Sequence, residues 1–190
     1  MLKQIHEKIK SCQECNDMVE KFTHSESVYI GNNKELLLLG EAPANNGWRK
    51  SGMLWKDLNG KLLPSGVILQ KLLDILEIDL FDISFTEAVK CYPKERKYLP
   101  VCVKSCQKYL SEQIEVLKPK IIISLGNHAT RSIINIEYKN FSKVVGKVFK
   151  YSDETIIIPI YHPSPISPKS YKGNVPIFYK IKELLDKEEL

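Results

Sequence analysis

The sequence predicts an α/β fold built on a parallel sheet, and three observations carry that prediction. Continuous apolar runs rich in Leu and Ile stand at "LLLLG" (36–40), "IIISLG" (121–126) and "TIIIPIYHP" (155–163), each ending in turn or polar residues. Such runs suit strands covered on both faces. Helical patterns lie between them, so strand and helix alternate, which implies right-handed crossovers and parallel pairing.

The elements follow in order. "MLKQIHEKIK" reads as an amphipathic helix and lacks the pattern of a signal peptide. The first strand, at 36–40, leads to a helix over 67–76 with Ile68, Leu72 and Ile75 on one side. "DISFTEAVKC" (82–91) is a weaker, mixed strand, followed by a helix over 101–117, the strand at 121–126, a short helix over 129–134 and the last strand at 155–163. No internal repeat, low-complexity segment or linker interrupts the chain, so a single domain over residues 1–190 is expected.

At 190 residues and 43% hydrophobic, the chain can bury one sizeable core. Its formal charge of +5 permits a polyanionic partner such as nucleic acid without requiring one. No apolar run approaches the roughly 18 residues of a membrane span, so no membrane partner, a cytoplasmic location and a monomer are expected. In that compartment five cysteines read as a metal or cluster site, reactive thiols or inert buried residues rather than disulfides.

Three constellations could carry chemistry. Cys12 and Cys15 form C-x-x-C, while Cys91 and Cys106 lie far off, with Cys102 one helical turn before Cys106. Four thiolates fit zinc or a 4Fe-4S cluster equally. In "GEAPANNGWRKSGMLW" (40–55) a turn follows a buried strand, and Glu41 sits where it could polarise a water or answer a helix dipole or lysine. Trp55 is either core or a platform for a flat ligand. In "YHPSPISPKSYKG" (161–173) His162 follows a strand directly, and Ser164, Ser167, Lys169, Ser170 and Lys172 offer contacts of the kind phosphates take. Ligands of parallel sheets bind beyond the carboxyl ends of the strands, which is where Glu41, Glu87, Gly126, Asn127 and His162 fall.

Taken together, these segments resemble the uracil-DNA glycosylase superfamily, most closely its family 4, the iron–sulfur enzymes of bacteria and archaea. The matching segments are Cys12 with Cys15, "GEAP", "SGMLWKDLNGKLL", "VKCYP", "CQKYLSEQIEVLKPKIIISLGNHA" and "HPSP", six in the family's order across roughly residues 10–180. The resemblance implies a three-layer α/β/α sandwich around a four-stranded parallel sheet. It also implies a structural 4Fe-4S cluster on Cys12, Cys15, Cys91 and Cys106; Cys102 has no counterpart in that set.

The implied activity is monofunctional base excision from single- or double-stranded DNA carrying uracil or another damaged base. The resemblance makes Glu41 the residue that positions water and His162 the donor to the departing base. Gly40, Ala42, Trp55 and Glu87 would line the base pocket, with Trp55 stacking on the base. Ser164, Ile166 and Lys169 would contact DNA, Ile166 as a wedge. Two departures stand out. "ANNGW" follows the first motif where the family has Gly and an acidic cluster, and "TEAVKC" puts Glu87 where the family has an Asn that reads uracil. An iron–sulfur nucleic-acid-binding protein that has lost excision, and a zinc-stabilised α/β binding domain, are the alternative readings.

Overall fold

The computed structural model describes residues 1–20 and 26–187. Its strands are β1 (Val19–Glu20), β2 (Val28–Tyr29), β3 (Asn33–Gly40), β4 (Ile83–Glu87), β5 (Tyr92–Pro93), β6 (Ile121–Leu125), β7 (Phe149–Lys150) and β8 (Ile156–Ile160). Its α-helices are α1 (Leu2–Ser11), α2 (Trp48–Ser51), α3 (Pro64–Leu73), α4 (Leu99–Leu117), α5 (Asn127–Arg131) and α6 (Val175–Asp186). Among the described residues no helix is long and apolar enough to cross a membrane.

The main sheet has the order β2-β4-β3-β6-β8-β7. β4, β3, β6 and β8 are mutually parallel, and β2 and β7 pair antiparallel at the two edges. The four-strand expectation is thus corrected to six: the four parallel strands are present, and a two-residue antiparallel strand closes each side. Edge strands this short carry no hydrophobic period to read, and their brevity limits the open edge they present. β1 and β5 form a separate small ribbon.

Side chains alternate across the sheet and build two cores. Leu36, Leu38, Ile83, Ile121, Ile123 and Ile158 face one way and pack with Leu69, Leu72 and Leu73 of α3 and with Ile177, Phe178 and Ile181 of α6. Leu37, Leu39, Ile122 and Ile157 face the other way, onto Leu110 and Ile114 of α4 and Ala129 of α5. Both faces are therefore buried, which is why the strands read as unbroken apolar runs. Pro64 and Pro100 stand in the first turns of α3 and α4, where a missing N–H costs nothing. These turns start each helix two or three residues before its apolar period becomes visible. α1 docks on α4 through Ile5, Ile9 and Tyr109.

α6, absent from the strand–helix alternation in the sequence, fixes the segment after β8. Fully buried Asn174 precedes it. Its amide accepts from the Tyr161 N–H (2.9 Å) and donates to the carbonyls of Tyr161 and Ser170 (2.8 Å each), folding the 161–174 loop back on itself. Asn174→Ala would leave those buried backbone groups unpaired, at about 1–3 kcal/mol each. The expected outcome is a lower midpoint in denaturant unfolding together with faster proteolysis in the 161–174 loop. An unchanged midpoint would show that the loop is held by other contacts.

Candidate active site

Parallel pairing sets the carboxyl ends of β3, β4, β6 and β8 along one side of the sheet, and a crevice of about 660 Å³ opens there. β3 ends at Gly40, in register with Glu87 at the end of β4. The chain leaves β3 through Glu41, whose carbonyl accepts from the Val89 N–H at 3.0 Å. Gly40 has to be small, because a Cβ there would lie 2.9 Å from the Phe85 ring. Gly126, after β6, has φ +86°, and a Cβ would sit 3.1 Å from that of His162. This close approach lets the imidazole enter the crevice from the end of β8.

The structure brings Gly40, Glu41, Ala42, Trp55, Glu87, His162 and Ser164 together on this crevice. Glu41 is gripped by Arg96, whose Nη2 lies 3.1 and 3.3 Å from the two carboxylate oxygens. His162 faces the cavity, where solvent reaches it, yet the protein walls around it push its pKa below the ordinary imidazole value. The Glu41 charge opposes that shift and the Arg96 charge adds to it. At neutral pH the ring is therefore uncharged. Trp55 holds a positive φ of 60° and packs edge-on against Phe85, with ring centroids 4.9 Å apart. Its indole N–H is buried with no acceptor among the described residues.

Behind the crevice lies a buried polar core. Lys90, 2% exposed, donates to Thr86 Oγ1 (2.8 Å), to Gln113 Oε1 (2.6 Å) and to the main-chain carbonyl of Glu87. Burial pushes its pKa down to about 8, against the pull of the Cys106 and Glu87 charges. The lysine thus meets Glu87 both at its main-chain carbonyl and through its charge.

On the far side of Lys90, Cys12, Cys15, Cys91 and Cys106 ring one small enclosed pocket with Cys102. Cys102, given no role by the sequence, is fully buried. Burial and the neighbouring thiols, Cys15 first among them, raise its pKa to about 12. Burial likewise raises that of Cys106, against the pull of Lys90. Ala42 packs against this cluster and also lines the crevice, so the two sites share a wall.

The other sequence candidates, Ile166 and Lys169, do not line the crevice. Ile166 is 92% exposed on the loop after His162, and the Lys169 ammonium sits 5.3 Å from the Tyr161 ring. The sequence reading missed Phe85, Tyr92, Arg49 and Arg96, which also line the crevice. Phe85 reads as core in an apolar strand, and the other three stand on elements too short to carry a period, Arg49 in α2, Tyr92 in β5 and Arg96 in a single 3-10 turn.

A parallel α/β domain whose carboxylate, imidazole and aromatic rings meet at the strand ends defines the class of strand-end site proteins. Comparison with known proteins narrows the class: the chain belongs to the uracil DNA glycosylase superfamily, whose family model matches residues 28–185. It is 35% identical to the type-4 uracil-DNA glycosylase of Sulfurisphaera tokodaii, over 96% of this chain and 84% of that protein. Identity to the type-4 enzyme of Archaeoglobus fulgidus is 30%, over 99% of this chain and 95% of that protein. A type-5 uracil-DNA glycosylase of Pyrobaculum aerophilum is 24% identical over 71% of this chain and 63% of its own length.

The electrostatics of His162 can be measured directly. By NMR its titration midpoint should lie below about 6.5. Glu41→Gln should move it lower still, by removing the charge that raises it, and Arg96→Gln should move it up. Shifts in the opposite directions would refute this account of the site.

Proposed function

We propose that this chain is a monofunctional DNA glycosylase that flips uracil or a related damaged base out of DNA and hydrolyses its N-glycosidic bond. The observation that carries the reading is the meeting of Glu41 and His162, from the ends of two different strands, on one crevice walled by aromatic rings. Family membership and the type-4 relatives support it.

The chemistry follows from the residues. As the bond to the base lengthens, positive charge develops on the sugar and negative charge on the base. Glu41 orients a water toward C1′ and takes its proton, while Arg96 fixes the carboxylate. His162, being neutral, donates a hydrogen bond to the departing base, which leaves with the bonding electron pair. Trp55 and Phe85 offer the base aromatic surface. Ser164 and Lys169 meet the backbone phosphates, and exposed Ile166 fills the space left in the duplex. The protein acts as a single-domain monomer on DNA.

The cysteines fit a 4Fe-4S cluster. Four of the thiols that line one pocket beside the buried Lys90 cation supply the donor set of an anionic group. Cys12, Cys15, Cys91 and Cys106 would hold it, tying the N-terminal segment to β5 and α4. It would serve as a structural clamp, with no part in bond cleavage.

Glu41→Gln and His162→Ala should each slow base release from a uracil-containing oligonucleotide by about 10²-fold or more. Affinity should hardly change, because binding rests mainly on phosphate contacts. Wild-type rates in both variants would remove this active site, and no base release by the wild-type protein would leave the binding-only reading.

Cys12→Ala and Cys106→Ala should abolish the visible absorbance of anaerobically purified protein and reduce its solubility, whereas Cys102→Ala should keep both. Bleaching by Cys102→Ala would reassign the ligands.

A further inference from the structure

The cluster reading uses four thiols, yet five line the same pocket. The fifth, Cys102, is fully buried. A buried cysteine taken alone is an ordinary small core residue, but the surroundings of this one are mostly other thiols. Cys102 stands four residues before Cys106 on α4, and residues at that spacing share one face of a helix. Both side chains therefore turn toward the pocket that Cys12, Cys15 and Cys91 reach from other parts of the chain.

The packing distinguishes the four assigned ligands by their relation to Cys102. Cys15, Cys91 and Cys106 share one cluster of side chains with it, built on Val19, Val89 and Leu99. Cys12 belongs to a different cluster, with Ile5, Ile9 and Tyr109, and is hydrogen-bonded to the Tyr109 hydroxyl. Within the shared cluster the Cys102 thiol is hydrogen-bonded to that of Cys15. Cys106 is held a full turn away on the same helix, so Cys102 could take its position only by unwinding α4. The Cys15 position is a hydrogen bond away and lies on a turn. Cys15 is also only half-buried, so a ligand near solvent is backed by a thiol that solvent does not reach.

Resting on the cluster reading, we propose that Cys102 is a reserve ligand for the 4Fe-4S group. A cubane of this kind takes one thiolate at each iron. When Cys15 is lost, Cys12, Cys91 and Cys106 still tie the N-terminal segment, the chain after β4 and α4 to the group. Cys102, the thiol in contact with the Cys15 position, then binds the remaining iron and releases its proton to solvent, as any thiol ligand must. It replaces Cys15 and neither Cys12 nor Cys106.

The test is anaerobic purification of wild type, Cys15→Ala, Cys102→Ala and the Cys15→Ala/Cys102→Ala double variant. Visible absorbance, iron and acid-labile sulfide per chain, and the EPR spectrum before and after reduction with dithionite are measured on each. Cys15→Ala should keep the absorbance of wild type with iron and sulfide in equal amounts, and the double variant should lose both. Should Cys15→Ala fail to fold, Cys15→Ser keeps the size of the side chain, and the Cys15→Ser/Cys102→Ala variant should again lose the group.

A bleached but folded Cys15→Ala overturns the proposal. So does a double variant as rich in iron as its Cys15 parent, because some ligand other than Cys102, the serine oxygen included, would then serve. Less iron than sulfide in Cys15→Ala, with the EPR signal of a 3Fe-4S centre before reduction, also overturns it, since three thiolates would hold the group with no replacement. If wild type carries zinc or no metal, the cluster reading itself fails and this proposal with it. If wild type and Cys102→Ala are loaded and Cys15→Ala is not, only the proposal falls.

Discussion

The buried ammonium of Lys90 is the interaction on which the arrangement of both sites depends. A cation removed from water costs several kcal/mol unless its donors are all met by good acceptors. Here they are met by Thr86 and the Glu87 carbonyl at the end of β4 and by Gln113 near the C-terminal end of α4. Gln113 in turn donates to the carbonyl and hydroxyl of Ser27, just before β2. One charge thereby fixes the end of a central strand, the start of an edge strand and the helix behind them. Moving any of these would expose an unpaired charge, so the neighbourhood tolerates little displacement.

That rigidity explains why the crevice and the cysteine pocket sit back to back. Lys90 is followed at once by Cys91, and Glu87 precedes it by three residues, so a single turn of chain delivers one side chain to each site. Ala42 repeats the arrangement from β3, packing on the thiols while lining the crevice. The base pocket is therefore shaped by the cysteine side of the molecule without any cysteine having to touch a nucleotide. The crevice and the thiol site are linked by packing.

Much of this was legible in the sequence, for definable reasons. The four parallel strands announce themselves because both faces are buried, and once they are parallel, the residues that follow them must share one edge. Glu41, Glu87 and His162 were found by that argument alone. Arg49 and Arg96 were not, because each stands on a single helical turn, too short for any period to say which side faces the crevice. Cys102 stands four residues before Cys106, a spacing that puts both on one face of a helix. Its place among the thiols could have been derived, but the motif resemblance drew attention only to its neighbour. The edge strands β2 and β7, two residues each, are shorter than any pattern can register.

The thiol pocket has a further consequence, for the order of folding. It joins residues near the beginning of the chain to residues past its midpoint, so β3, α3 and β4 all lie within the loop it closes. Any group bridging those thiols would restrict the unfolded ensemble over that whole span, as a long covalent cross-link does. During synthesis the first two thiols emerge long before their partners, and the central strand must find its neighbours without that restraint. The bridge would then act late, locking a sheet that has already chosen its register, and its chief effect would be to slow the return to the unfolded state.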